Sequence, residues 1–237
     1  MIPATDADVI GNVQRVKEQI ALSCDRAGRE KEAIKLVAVS KTVEADLVIK
    51  ALRAGVTCLG ENRVQEGIAK RLELAEELFE YHLVGPLQKN KVNKAVDCFD
   101  WVETIDSIEL AQRIDRACSV RGKCMPALIQ VNLAKEPGKS GIEVENLTEL
   151  VEQTQSLKNL SIRGLMAIPP YYERPEDVRP FFRRLRELRE QLEMRLRSDG
   201  LLGELSMGMS HDFPVAIEEG ATIVRIGTAI FGERVYT

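Results

Sequence analysis

The stretch Leu36-Val-Ala-Val-Ser-Lys41-Thr42 combines an unbroken apolar run with a lysine at its end. Runs of this composition are typical of a strand that is buried on both faces, as in a parallel sheet. Lys41 then lies at the carboxyl end of that strand, where parallel α/β sheets and barrels carry their functional residues. The simpler alternative is a lysine that ends a strand and extends into solvent, so this stretch alone leaves both interpretations open.

The composition favours one globular domain that handles a small molecule. The 237 residues are 44% hydrophobic and 30% charged, which is enough for one large core. The net charge of −4 argues against a nucleic-acid partner held mainly through its phosphates. An apolar run of about 18 residues is absent, and so is a basic amino-terminal segment followed by an apolar one, so we expect neither membrane insertion nor secretion.

The cysteines and histidines indicate neither a disulfide framework nor a metal centre. The five cysteines include no Cys-x-x-Cys pair, so they predict buried free thiols in a reducing compartment. His82 and His211 are too few and too far apart in the sequence to indicate a metal site. We therefore expect a cytoplasmic protein without a metal ion.

Apolar runs alternate with helical patterns along the chain. An amphipathic helix opens it, after a Thr5-x-x-Asp8 capping pattern and before Gly28. A glycine-rich dinucleotide motif and a P-loop are both absent. Alternation at this chain length predicts a single (β/α)8 TIM barrel over residues 1–237 with an extra amino-terminal helix, and a doubly wound open sheet is the alternative. The predicted strands cover residues 36–41, 57–62, 81–85, 101–105, 127–133, 162–168, 205–209 and 222–227.

The longest predicted helix, at residues 176–198, carries seven arginines interspersed with acidic residues. This pattern is typical of a face that meets only water. A partner surface is the alternative.

The carboxyl ends of all barrel strands face one cup, which limits the candidate functional residues. Phosphate sites in such barrels commonly lie in the loops after the seventh and eighth strands. Here these loops are Met207-Gly-Met-Ser210 and Arg225-Ile-Gly-Thr228, which supply glycines and hydroxyls. Each loop alone also fits an ordinary turn that caps a helix.

Arg225 and Gly227 lie two residues apart, so both face one side of the last strand and Arg225 points into the cup. A guanidinium there needs an acceptor, which is either an internal carboxylate or a ligand atom. A desolvated lysine such as Lys41 can attack a carbonyl group and form a Schiff base. Lysine, anion loops and inward arginine together favour pyridoxal phosphate, which needs an aldehyde partner, an anion site and a group at its pyridine nitrogen.

Six motifs in order span nearly the whole chain: LVAVSKT (36–42), GENRVQE (60–66), HLVGPLQKNK (82–91), GLMAIPP (164–170), LSMGMSHDF (205–213) and VRIGTAIFG (224–232). Together they resemble the pyridoxal phosphate homeostasis protein family, also called the YggS/PROSC family. The resemblance implies a barrel similar to the amino-terminal domain of alanine racemase. It also implies a Schiff base between the cofactor and a lysine, without established catalysis.

Carried over by motif, the resemblance implies a role for each cup residue. Lys41 would form the Schiff base, and Arg225 would face the pyridine nitrogen. Phosphate ligands would be Ser210, Gly227 and Thr228, and the pocket walls would include Asn62, His82 and Met166. The chain departs from the resembling pattern at Arg63 and His211.

We expect a carrier rather than an enzyme. A permanent cation at the pyridine nitrogen disfavours ring protonation and weakens the cofactor as an electron sink. Racemases with that arrangement use a second base from an additional carboxyl-terminal domain, which we do not expect after Thr237. The predicted function is storage, buffering or delivery of pyridoxal phosphate to apoenzymes by a monomer or weak dimer. An amino-acid racemase or decarboxylase, a class I aldolase that binds a sugar phosphate on Lys41, and an interaction module remain as alternatives.

Overall fold

Parallel strands form a closed ring in the computed structural model, which describes residues 8–134, 138, 140–196 and 202–233. The strands are β1 (Lys35–Val39), β2 (Cys58–Glu61), β3 (Glu80–Leu83), β4 (Trp101–Ile105), β5 (Met125–Asn132), β6 (Ile142–Glu143), β7 (Leu160–Met166), β8 (Glu204–Ser206) and β9 (Ile223–Ile226). Within the described residues, eight strands are neighbours in the sheet in the order β4-β3-β2-β1-β9-β8-β7-β5, and pairing of β4 with β5 closes the ring. The short β6 pairs with β5 outside the ring. The predicted barrel is confirmed, and the open sheet is excluded.

Helices surround the ring and connect its strands. They are α1 (Val9–Ala27), α2 (Ala45–Arg53), α3 (Val64–Glu73), α4 (Val92–Cys98), α5 (Ile108–Val120), α6 (Val144–Thr154), α7 (Arg179–Leu196), α8 (Phe213–Glu218) and α9 (Thr228–Phe231). In the described part of the chain, none of them is long and apolar enough to cross a membrane. The predicted domain limits, 1 and 237, and the predicted helix end at 198 lie outside the described residues.

Side-chain alternation along β1 produces two apolar layers. Ala38 belongs to the large layer between the strands and the helices. Val37 and Val39 point the other way and pack inside the ring, together with Met166. Lys41 follows Val39 by two residues, in the turn that leaves β1.

The amino-terminal helix α1 packs across the end of the chain. Asp8 caps it by accepting a hydrogen bond of 2.9 Å from the Gly11 N–H, and Gly28 ends it in a left-handed conformation. The buried Asn12 amide donates to the Ile230 carbonyl oxygen at 2.9 Å. Helix α1 therefore holds α9, which begins in the second predicted phosphate loop. Thr5, the other residue of the predicted capping pattern, lies outside the described residues.

The arginine face of α7 meets protein as well as water. Arg179, Arg183 and Arg186 all approach the carboxylate of Glu219, at 3.2, 3.0 and 3.4 Å. Glu219 follows α8 and is buried. The expectation of a face that meets only water was therefore wrong, because these side chains clamp α7 onto the end of α8.

The cysteines are free, as expected, and four of them are buried; the expectation of burial was wrong for Cys124, which is exposed.

Candidate functional site

Lys41 lies in a tight turn directly after β1. Ser40 is buried, its N–H donates to the Gly60 carbonyl oxygen at 2.9 Å, and its own carbonyl oxygen accepts from the Val43 N–H at 3.0 Å. Lys41 is half-buried, and Thr42 has a left-handed φ of 59°. A β-branched residue rarely adopts that conformation, which costs about 1–2 kcal/mol. The turn therefore fixes the backbone that carries the Lys41 side chain.

Strand register sets the end of β1 between the ends of β2 and β9. In β1, Val37 is level with Arg225 of β9, and Val39 is level with Gly60 of β2. The end of β1 therefore lies between the ends of these two strands, and Lys41 follows it by two residues. Asn62 and Gly227, each half-buried, follow those ends.

A buried ion pair between Lys70 and Glu61 contacts the turn that carries Lys41. Lys70 of α3 lies 2.6 Å from Glu61 Oε1 and donates a second hydrogen bond to the Ser40 carbonyl oxygen. The Ser40 hydroxyl donates to the same Glu61 oxygen at 2.9 Å. The three groups tie the end of β1 to α3, which follows β2.

The two predicted phosphate loops contact each other. The Ala229 N–H donates to Ser210 Oγ at 3.1 Å, and the Arg225 N–H donates to the Gly208 carbonyl oxygen at 3.0 Å. Gly208 has a φ of 93°, and a Cβ there would lie 2.6 Å from the Cβ of Ala216, so only glycine fits. Ser210 is half-buried and Thr228 is exposed. The structure thus assembles Ser210, Gly227 and Thr228 in one place.

Arg225 points into the barrel and is almost fully buried. Its guanidinium donates to Ser206 Oγ at 2.5 Å and to the Ala167 carbonyl oxygen at 2.9 Å. Glu103 Oε2 lies 3.8 Å from it and accepts from Ser206 Oγ at 2.5 Å. Burial lowers the pKa of Arg225, and the Glu103 and Asp212 carboxylates oppose that shift. Because guanidinium keeps its proton in proteins, Arg225 stays a cation.

His82 lies inside the ring between two carboxylates. Its Nδ1 is 2.5 Å from Glu103 Oε1, and its Nε2 is 2.7 Å from Glu80 Oε1. Its ring stacks on Trp101, with centroids 5.2 Å apart. Lys35 completes the series at 2.7 Å from the same Glu80 oxygen. We call Lys35, Glu80, His82, Glu103 and Arg225 the interior ladder.

Three residues predicted to line the pocket occupy different positions. Asn62 lies at the end of β2, at the mouth of the cup. Met166 and His82 are fully buried within the ring, and both ring nitrogens of His82 are engaged. The structure therefore does not bring His82 to the mouth, and contact of any of the three with a ligand stays a prediction.

The two residues at which the chain departs from the resembling motifs are also placed. His211 Nε2 donates to the carbonyl oxygens of Tyr172 and Glu173, at 3.1 and 3.0 Å, so it joins the loop after β7 to the Ser210 loop. Arg63 is exposed and forms an ion pair of 3.2 Å with Glu66.

Four residues that support the candidate site were not anticipated from the sequence: Glu61, Lys70, Glu103 and Ser206. A sequence signal was available for Glu103, because it is the one charged residue of the predicted strand Trp101-Val-Glu-Thr-Ile105. The alternation of side chains along the strand predicts that Glu103 points inward, but it does not predict which residues of other strands Glu103 contacts.

Cys58, Glu80 and His82 hold potential metal-ligand atoms within 4.8 Å of one another. The Lys35 ammonium already contacts the Glu80 oxygen of this group, and both ring nitrogens of His82 face carboxylates. A divalent cation would have to displace these contacts. We therefore assign His82 and Glu80 to the interior ladder.

Comparison with known proteins identifies the family of the chain. The model of the family described as "Alanine racemase, N-terminal domain" matches residues 12–235. The pyridoxal phosphate homeostasis protein of Aquifex aeolicus is 47% identical over 224 residues, which cover 94% of this chain and 97% of that protein. The Escherichia coli protein of the same name is 40% identical over 239 residues, covering 97% and 98%.

Solved structures show the same relationship. PipY of Synechococcus elongatus, described with PLP bound, matches with a TM-score of 0.81 and 37% identity over 92% of this chain and 100% of that one. An alanine racemase of Clostridium difficile shares the fold, with a TM-score of 0.68 at 15% identity over 92% of this chain and 58% of the racemase. The chain belongs to the alanine racemase N-terminal domain family and, within it, to the pyridoxal phosphate homeostasis proteins.

Proposed function

We propose that this protein binds pyridoxal 5'-phosphate as a Schiff base on Lys41 and acts in homeostasis of that cofactor. The observation that carries the proposal is the register of β1 and β9, which pairs Val37 with Arg225 and brings the end of β1, which Lys41 follows, next to the end of β9, which the Gly227 turn follows. The relatives named above support it, because two carry the homeostasis name and PipY is described with PLP bound.

The donor set of the cup suits the cofactor. Pyridoxal phosphate presents an aldehyde, a pyridine nitrogen and a phosphate group with a charge of about −1.5 to −2 at neutral pH. The cup offers an amine at Lys41 and a cation at Arg225. Hydroxyls of Ser210 and Thr228 lie beside the Gly227 turn, where backbone N–H groups can approach a phosphate closely.

Each residue then has a distinct task. The bound cofactor supplies a reactive aldehyde. Lys41 anchors the cofactor covalently, and the turn after β1 holds the backbone of Lys41 in place. Ser210, Gly227 and Thr228 orient the phosphate. Arg225 faces the ring nitrogen and, as a permanent cation, keeps that nitrogen free of a proton.

Storage, buffering or delivery fits this site better than catalysis. Proton transfer at a substrate carbon needs a second acid or base within hydrogen-bond reach. His82 cannot serve, because both of its ring nitrogens contact carboxylates. The relatives are also named for homeostasis and not for a reaction. We propose that apo forms of pyridoxal phosphate enzymes receive the cofactor. Since the thiols are free, we also propose that the protein acts in the cytoplasm.

The test compares wild type with Lys41→Ala and a control, Lys91→Ala. Lys91 is half-buried like Lys41 and lies in the connection after β3, also at the carboxyl ends of the strands. Each protein is freed of cofactor and titrated with pyridoxal phosphate while visible absorbance is recorded. We expect one equivalent of Schiff base in wild type and Lys91→Ala, and none in Lys41→Ala. Equal binding by all three would refute the role of Lys41.

Carrier and enzyme are separated by a second measurement. Loaded wild-type protein is incubated with a panel of amino acids and, separately, with an apo form of a pyridoxal phosphate enzyme. The proposal expects no turnover and recovery of the apoenzyme's activity. Sustained turnover of any amino acid would contradict it.

A further inference from the structure

The interior ladder requires a doubly protonated histidine. Neutral imidazole carries one donor and one acceptor nitrogen, yet both ring nitrogens of His82 face carboxylate oxygens, at 2.5 and 2.7 Å. Burial alone would lower the pKa of His82, but hydrogen bonds to Cys58, Glu103 and Glu80 raise it well above its ordinary value. His82 is therefore a cation at neutral pH.

The groups that face His82 come from several strands. Cys58 of β2 is a neutral thiol, because burial raises its pKa. Glu80 lies on the same strand as His82, Glu103 lies on β4, and Lys35 of β1 acts through Glu80. The series contains two carboxylates between three cations, and it ends at Arg225 in the cup.

Glu103 is the counter-ion that links this series to the cup. It is fully buried, and its two oxygens have different partners. One contacts His82, and the other contacts the Ser206 hydroxyl, which also accepts a hydrogen bond from Arg225. Buried ion pairs often stabilise a fold no better than apolar residues of the same volume. Stability alone therefore does not explain why these charges are buried.

We propose that Glu103 is a positioning residue that, through Ser206, orients Arg225 and offsets its charge, and that His82 limits how much of that charge is offset. This inference rests on the proposed function, since the group affected is the Schiff base on Lys41. The interior ladder would then set how readily that Schiff base holds its proton.

The two residues have opposite predicted effects. A protonated Schiff base is a cation, so a neutral residue at position 103 leaves the Arg225 charge uncompensated and favours loss of the Schiff-base proton. A neutral residue at position 82 leaves the Glu103 charge to act on the cup alone, which favours retention of that proton. A merely structural role would not produce shifts of opposite sign.

The test uses full-length protein loaded with pyridoxal phosphate. Visible absorbance is titrated against pH for wild type, Glu103→Gln and His82→Gln. Glu152→Gln is the control, since it removes one exposed carboxylate on α6. We expect the midpoint of Glu103→Gln to fall by about one pH unit, the lower end of the effect of a nearby charge. The midpoint of His82→Gln should rise by less, and that of Glu152→Gln should stay unchanged. Equal midpoints in all four proteins, or shifts of one sign in both ladder variants, would overturn the proposal.

A measurement without cofactor separates this inference from the proposed function. Nitrogen NMR of the His82 ring in cofactor-free wild type should show both nitrogens protonated at neutral pH, whether or not Lys41 forms a Schiff base. A neutral ring would overturn the inference even if the cofactor binds, and it would do so even if the variants fail to fold. Protonated nitrogens without cofactor binding would instead refute the proposed function.

Discussion

Substitution of Lys70 by methionine removes the cation that pairs with the buried carboxylate of Glu61, next to the turn that carries Lys41. The two side chains are 8% and 0% exposed, and their charged atoms lie 2.6 Å apart. The other Glu61 oxygen has no hydrogen-bond partner in the described structure. Methionine retains much of the apolar stem of lysine, so the lost free energy is mainly electrostatic. Breaking a buried pair on one side costs about 3–5 kcal/mol.

That cost is a large part of a total stability of about 5–15 kcal/mol. For a chain of this size, it corresponds to a drop in Tm of roughly 6–20 °C. Urea unfolding followed by circular dichroism measures the free energy directly. Because Lys70 also donates to the Ser40 carbonyl oxygen, we expect weaker binding of pyridoxal phosphate as well.

Two further variants make the result decisive. Lys89→Met breaks the exposed ion pair with Glu109, whose side chains are 49% and 50% exposed, and should cost far less than Lys70→Met because solvent screens that pair. The double variant Glu61→Leu/Lys70→Met removes both buried charges and should be more stable than Lys70→Met alone. The reasoning is refuted if Lys70→Met costs no more than Lys89→Met, or if the double variant is the least stable.

Three other predictions follow from the structure. The His82 hydrogen bond lowers the pKa of Glu80 to about 2, so its stabilisation is complete above about pH 4.5 and is lost as the pH falls towards 2. Because the Glu80 side chain is 37% exposed, solvent screening reduces the free energy of unfolding that is lost to about 1–2 kcal/mol. In Glu80→Gln, the free energy of unfolding should therefore fall less steeply between pH 4.5 and pH 2 than in wild type. Glu219→Ala should cost about 1–3 kcal/mol in urea unfolding, because it leaves the α7 arginines without their shared carboxylate; a cost equal to that of Glu152→Ala would contradict this. Gly208→Ala should weaken binding of pyridoxal phosphate, measured by titration, and should destabilise more than Gly122→Ala, which shares a positive φ but has open space around its Cβ.

The fold could be predicted from the sequence because each strand is a short apolar run between helical patterns. Helix ends were less certain. The apolar pattern predicts a helix over residues 64–79, whereas α3 ends at Glu73. Leu72 and Leu78 extended the apolar pattern in the sequence, but both are exposed, at 74% and 96%. Periodicity counts apolar residues without knowing which of them are buried.

Lys41, Ser210 and Arg225 could be proposed as site residues because their positions at strand ends follow from the fold. Their supporting partners could not. Glu103 and Ser206 are 103 residues apart in the sequence yet form a hydrogen bond. Arg179 and Glu219, which are 40 residues apart, also form one. Such pairs depend on which strands and helices become neighbours in the barrel, and the apolar pattern of the sequence does not show this.

The most direct test of the Schiff base is borohydride reduction of the loaded protein followed by peptide mass mapping. Reduction fixes the adduct on whichever lysine carries it. The account predicts one pyridoxyl adduct per chain, confined to the peptide that contains Lys41. An adduct on another lysine, or an unmodified Lys41 peptide in a protein saturated with pyridoxal phosphate, would contradict it.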